Sequence, residues 1–210
     1  MSVKEIAAHL DIAASTASRW LRDIVLTAEQ VAALDARNPA INGQMAGARR
    51  LAEKARETRF AAQGHGRVLA ALNDPLHRAG CMLYWAEGSK TRNKVTFTNS
   101  DADMVRFFLR FLRERYEVED ARVALSVNVH LGNGLTLDAV ESWWLSALAL
   151  PATCLRTAAV NRTSSSSLGK RPPLVHGTAR LCVNSTFIVQ SIYGAIQEYA
   201  GIDRPEWLDL

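Results

Sequence analysis

The sequence predicts an α+β protein: an all-α helix-turn-helix unit, a helical basic connector and a C-terminal domain of mixed helices and strands. Three observations carry this. Apolar residues recur at helical spacing through the first 24 positions, an Ala-rich and Arg-rich stretch follows, and beyond Pro75 the hydrophobic period switches repeatedly between helix and strand. The expected divisions are residues 1–40, 41–74 and 75–210.

In "VKEIAAHLDIAASTASRWLRDI", Val3, Ile6, Ala7 and Leu10 share one helical face. Leu10-Asp11-Ile12 forms a turn, and Ala17, Trp20, Leu21 and Ile24 form the buried stripe of a second helix. Ala7 and Ala17 are small where the two helices must cross. Asp11 stands where many such turns have glycine, and Asp enters the left-handed region at modest cost. Ser15, Thr16, Ser18, Arg19 and Arg22 lie on the outward face of the second helix. Hydrogen-bonding side chains there suit a reader of the major groove. The stretch resembles the helix-turn-helix of bacterial resolvases and repressors; a plain helical hairpin is the alternative. "TAEQ" is a capping box with Thr27 as N-cap and Gln30 at the third position, so a third helix follows and stops at Arg37-Asn38-Pro39.

The connector concentrates the positive charge. Residues 43–78 hold seven Lys/Arg against three Asp/Glu, in a chain of net charge +4. Arg49, Arg50, Lys54, Arg56 and Arg59 cover much of one helix, which Gly64-His65-Gly66 is expected to interrupt. Such a helix either follows a phosphate backbone or packs as an arm on the next domain. A second asymmetry lies further on, since no Asp or Glu occurs from Ser142 to Gln197. Clustered bases point to a polyanionic partner more than the total charge does.

From Pro75 the elements alternate. A helix over 75–87 precedes the strand "KVTFTNS", and the next helix starts at Ser100-Asp101 with Met104, Phe107, Phe108, Phe111 and Leu112 inward. "ARVALSVNVH" alternates Val123, Leu125, Val127 and Val129 against Ser126, Asn128 and His130, the pattern of a half-buried strand. A helix ending before Pro151, strands in "LRTAAVN" and "GTARLCVN" around the loop "RTSSSSLGKRPP", and a last helix, "STFIVQSIYGAIQEYA", complete a mostly antiparallel sheet with helices on one face.

One placement stands out. Glu87 closes the apolar run "CMLYWAE", where an acid meets the negative end of the helix dipole at a cost of roughly 0.3–1 kcal/mol. "GCMLYWAEG", residues 80–88, resembles the nonapeptide of LAGLIDADG endonucleases, and "FTNSDADMVRFFLRFL" resembles that family's strand-then-helix continuation. Leu83, Ala86 and the final acid keep their places, whereas Trp85 replaces the first acid and Met82 the internal glycine. The resemblance covers roughly residues 75–200 and implies a LAGLIDADG-like saddle of sheets over double-stranded DNA. Two such helices would pack side by side. One copy of the motif then implies a homodimer and a near-palindromic target.

On that resemblance Glu87 is a metal ligand, with Mg²⁺ or a similar hard cation shared between two copies. Glu87 and Lys90 are the catalytic candidates, Lys90 as the group that neutralises the scissile phosphate, while Arg92, Lys94, Lys170 and Arg171 are expected to contact DNA. The expected activity is metal-dependent DNA cleavage. The alternatives are a transcriptional regulator that keeps the scaffold without cleaving, with Glu87 merely paired to a nearby base, and a recombination accessory that bridges DNA without chemistry. Other classes are disfavoured. No apolar run approaches the roughly 18 residues of a membrane span. The start, "MSVKEIAAHLDI", lacks the layout of a secretory signal, so a cytoplasmic, nucleoid-associated protein is expected. Cys81, Cys154 and Cys182 are too scattered for a disulfide frame or a zinc site.

Overall fold

The computed structural model describes residues 1–22, 24–36, 39–131, 135–162 and 174–210. The chain divides into two compact units, Met1–Ala55 and Arg56–Leu210.

In the first unit, α1 (Val3–His9) and α2 (Ala14–Trp20) make the expected pair. Asp11 between them is left-handed at φ 49°, and the Ile12 amide donates to the Ala7 carbonyl at 3.0 Å. Ser2 and Glu5 form a capping box on α1 that sequence reasoning had passed over. Thr27 and Gln30 form the expected one on α3 (Ala28–Ala36). Ala7 and Ala17 are buried as the crossing requires. The rest of the expected stripe is not. Trp20 is 62% exposed, and Leu10 and Ile24 are also exposed. A seven-residue helix makes fewer than two turns, so two of them touch over one short seam. Trp20, the last residue of α2, lies beyond it.

Helix α4 runs unbroken from Pro39 to Ala71, through Gly64-His65-Gly66. The connector expected over 41–74 is therefore shared, and from Arg56 onward α4 belongs to the second unit. The glycines there serve close packing. A Cβ on Gly66 would stand 1.8 Å from the Ser191 carbonyl oxygen, and one on Gly194 would stand 2.0 Å from that of Gln63. Of the two roles expected for this helix, the packed arm is the one realised from Arg56 onward: Arg59 is 7% exposed and donates to the Leu208 carbonyl at 2.5 Å. Arg56 and Arg59 both pair with Asp209. A buried amide chain extends the same attachment. Gln63 donates to Gln190 at 2.8 Å, Gln197 to Gln63 at 3.1 Å, and Gln190 to the carbonyls of Arg92 and Trp207. Each buried amide is satisfied, which removes the cost of enclosing it.

Helix α5 (Pro75–Glu87) spans the expected residues and begins at an Asp74 N-cap, whose carboxylate accepts from the His77 amide. Strand β1 (Val95–Asn99) leads to α6 (Ala102–Tyr116), capped by Asp101. Strand β2 (Val123–Leu131), α7 (Leu137–Leu148), β3 (Ala159–Arg162), β4 (Thr178–Val183) and α8 (Thr186–Ala200) follow. The sheet order is β1-β4-β2-β3. Its first two pairings are antiparallel and β2–β3 is parallel, so the sheet is mixed. Phe97, Leu125, Val127, Val129, Leu181 and Val183 face a core built with Tyr84, Phe108, Phe111, Trp144 and Ile192. The fold is α+β.

One buried polar cluster sets a pH dependence. His77 is enclosed between Tyr199, whose hydroxyl lies 2.8 Å from Nδ1, and Tyr116, 3.3 Å from Nε2. Burial lowers its pKa below 6.5, the Asp74 carboxylate opposes this, and Arg115 and His65 add to it. The unfolded chain therefore binds a proton that the folded chain resists. Stability from this residue is complete above about 6.5, where His77 is neutral in both states. It declines as the pH falls through the folded pKa. Urea unfolding midpoints should drop in that window, and His77→Gln should flatten the drop. Asp74, held below its ordinary pKa of 3.8 chiefly by the His77 amide, adds a separate loss at lower pH.

Candidate nucleic-acid interface

The C-terminal end of α5 is built from the inside outward. Tyr84 is fully buried, stacks on Phe108 and donates through its hydroxyl to the Ser89 carbonyl at 2.7 Å. Gly88 lies against the Tyr84 ring, where a Cβ would come within 2.3 Å of it. The chain then turns back. Gly88 bridges to Phe97, and the Ser89 amide donates to the Thr96 carbonyl. Tyr193 donates to the Thr91 carbonyl at 3.0 Å, and Gln190 to that of Arg92. Four of the five residues after Glu87 are thus tied to β1 or α8, and Glu87 is exposed at the end of α5 just before them.

Lys90 occupies the end of that helix. Its ammonium donates to the carbonyls of Trp85 at 2.6 Å, Gly88 at 2.8 Å and Tyr84 at 3.4 Å. Partial burial pulls its pKa down, and the Glu87 charge pushes it back up. A cation there compensates the helix dipole. The misfit of an acid in the last turn is therefore answered three residues later. The three oxygens are main-chain carbonyls of a helix end that Lys90 already fills, so a hard cation would rest on the exposed Glu87 carboxylate rather than on them. Among the described residues no group of three or more His, Cys, Asp or Glu converges to hold a metal, so Glu87 would be this chain's carboxylate contribution.

The outer face of the sheet is the second feature. None of the four strands contains Asp or Glu. Opposite the core, register aligns Thr98, Arg180 and Ser126 in one row across three strands, with Asn128 beside Thr178 in the next. Thr98, Arg180, Asn128 and His130 are exposed, and Ser126 and Cys182 half-buried. Hydroxyl, amide, imidazole and guanidinium groups on an acid-free surface form a hydrogen-bonding platform of neutral to positive charge.

The expected residues fall into three places. Glu87, Lys90, Arg92 and Lys94 gather at the α5–β1 turn, with Arg92 exposed and Lys94 half-buried. Ser15, Ser18, Arg19 and Arg22 are exposed on or just after α2, in the first unit, and Thr16 is half-buried. Lys170 and Arg171, with the Ser-rich loop, lie outside the described residues. Sequence reasoning did not select Thr98, Ser126, Asn128, His130 or Arg180. Their signal was present in the polar half of the strand alternation and in the acid-free span after Ser142. Gly80 faces Phe111, where a Cβ would come within 2.2 Å. Ala79 and Ala86 are exposed and Leu83 is half-buried, so one stripe of α5 is small and apolar, with Arg78 and Trp85 exposed beside it.

No protein-family model, no curated protein and no solved structure matches this chain. No helix among the described residues is long and apolar enough to cross a membrane.

Proposed function

We propose that this is a sequence-specific double-stranded-DNA-binding protein, active as a homodimer and cutting DNA with a divalent metal in the manner of LAGLIDADG endonucleases. The observation that carries the reading is the acid-free outer face of the sheet, with Arg180 flanked by Thr98 and Ser126 and with Glu87, Arg92 and Lys94 at its β1 edge. Phosphate contacts from such bases position a duplex, and the shorter polar side chains read base edges. Helix α2 supplies a second reader through Ser15, Ser18, Arg19 and Arg22. The small apolar face of α5 at Ala79, Leu83 and Ala86 suits a second copy, which would bring two Glu87 carboxylates together. A bound divalent ion supplies Lewis acidity and an activated water. Glu87 would hold it, and Lys90 and Arg92 would neutralise the phosphate under attack.

The placement of Lys90 favours a second reading, a regulator that binds without cutting. Its ammonium compensates the helix end beside Glu87, so the acid is tolerated there without a metal.

Selection of the bound sequence from random duplexes, followed by titration of single variants, tests the proposal. Arg19→Ala and Arg180→Ala should each weaken binding to the selected site by about 1–3 kcal/mol. Losses of the same size on random DNA would reduce both residues to phosphate contacts. Failure to enrich any sequence would end the reading.

A further inference from the structure

A chain of polar side chains runs from the surface of the second unit to the start of α5. His65 of α4 is exposed and rests on Phe187, with 5.0 Å between ring centroids. Its Nδ1 lies 3.3 Å from the Ser191 hydroxyl of α8, and that hydroxyl lies 3.2 Å from the Tyr116 hydroxyl of α6. Tyr116 in turn lies 3.3 Å from His77 Nε2, and His77 Nδ1 meets the Tyr199 hydroxyl at 2.8 Å. Ser191 and His77 are both buried. Three hydrogen bonds therefore separate the two imidazoles, and each needs one proton. Ser191 and Tyr116 supply one each. The third must come from His65 Nδ1–H or from His77 Nε2–H. If both nitrogens carry protons, four protons face three bonds and one bond is lost.

We propose that surface His65 sets the tautomer of buried His77 through Ser191 and Tyr116, a pH-sensitive switch in the direction of the fold's own hydrogen bonds. Protonated His65 donates to Ser191, Ser191 to Tyr116 and Tyr116 to His77 Nε2. The His77 proton then sits on Nδ1 and is donated to Tyr199. When His65 becomes neutral, its Nδ1 accepts instead. Each of the three relay protons shifts one place towards His77, and the Nδ1 proton leaves through the Tyr199 hydroxyl, so one proton is lost in all. His77 is left with its proton on Nε2, the nitrogen that neutral histidine favours in water, and Tyr199 becomes the donor. Histidine suits the surface position because its charge changes near neutral pH. In both states His77 is neutral, so no charge is enclosed. Its surroundings agree. Burial keeps a second proton off His77, Asp74 favours one, and Arg115 and His65 oppose it. Asp74 is paired with Arg115 of α6 at 2.9 Å, Arg78 lies over the Tyr199 ring, and the Cys81 thiol is 3.8 Å from Nε2. The reversing bonds join α4, α5, α6 and α8. None of these residues is assigned to DNA, so the inference stands apart from the DNA-binding reading.

The test is NMR of the imidazole nitrogens in the ¹⁵N-labelled full chain, from about pH 5 to pH 8. Ring-nitrogen shifts separate protonated from unprotonated nitrogens and so report each tautomer. As His65 loses its proton, the His77 proton should pass from Nδ1 to Nε2 with the same midpoint, its two shifts moving in opposite directions. The tautomer ratio should change by about fivefold or more, the worth of one hydrogen bond. Ser191→Ala cuts the relay, and the His77 ratio should then stay constant while His65 still titrates. His65→Phe keeps a ring against Phe187 and should also hold the ratio constant; circular dichroism checks that each variant is folded. A His77 tautomer that stays fixed through the His65 titration in wild type would overturn the switch. An exchange that persists in either folded variant would overturn it too. So would both His77 nitrogens moving in the same direction at that midpoint, the mark of His77 itself taking the charge.

Discussion

Gly66→Ala should destabilise the second unit by about 3 kcal/mol, near the top of the range for overpacking. The added methyl would meet a backbone carbonyl, Ser191 O at 1.8 Å, and a carbonyl cannot swing aside as a side chain does. The α4–α8 crossing must widen, and the buried Gln63–Gln190–Gln197 chain, whose bonds span 2.8 to 3.1 Å, widens with it. Gly64→Ala, two residues away on the same helix, is the internal control. Nothing lies within 4 Å of a Cβ there, so alanine should stabilise by about 0.5–1 kcal/mol through helix propensity. Urea unfolding of both variants decides between a hinge and a packed crossing. A hinge predicts similar, small effects at both glycines; the crossing predicts opposite signs.

Glu87→Gln should reduce metal-dependent nicking of a plasmid carrying the selected site at least a hundredfold, while binding to that site changes little. The substitution keeps the shape of an exposed side chain at the end of α5 and removes the charge that would hold a hard cation. Stability should be unchanged or slightly raised, because an acid in a helix's last turn opposes the dipole. A loss of DNA binding in parallel with nicking would assign Glu87 a structural role. Wild-type protein that leaves its own site intact in Mg²⁺ and Mn²⁺ would establish the non-cutting regulator.

Several elements were readable residue by residue. Helix α5 occupies the expected 75–87 because Asp74 caps it, Pro75 suits its first turn and Gly88 follows it. The Thr27–Gln30 box, the left-handed Asp11 and the alternation of β2 were readable for the same reason: each is decided by atoms within a few positions along the chain. Where the expectation failed, a distant partner had intervened. Gly64-His65-Gly66 has the composition of a break, yet α4 continues because Gly66 and Gly194 let two backbones approach. Composition left open whether Arg56 and Arg59 meet phosphate or pack as an arm, and Asp209 and the Leu208 carbonyl, roughly 150 residues away, decide for the arm. Trp20 fits a buried stripe by periodicity, yet the seam between two short helices does not reach it.

The candidate interface divides along the same line. That Glu87 ends a helix, that bases follow it and that acids avoid the later strands are local or compositional facts, open to anyone reading the chain. Which polar side chains share a surface depended on strand register, since Thr98, Arg180 and Ser126 meet only through pairings across β1, β4 and β2. What Lys90 does depended on the path of the loop after Gly88, which returns its ammonium to the carbonyls of the helix just completed. Short-range preferences are written in neighbouring residues and survive any fold. Long-range contacts exist only once packing has selected one arrangement, and it was packing that turned a lysine expected to meet phosphate into the cap of its own helix.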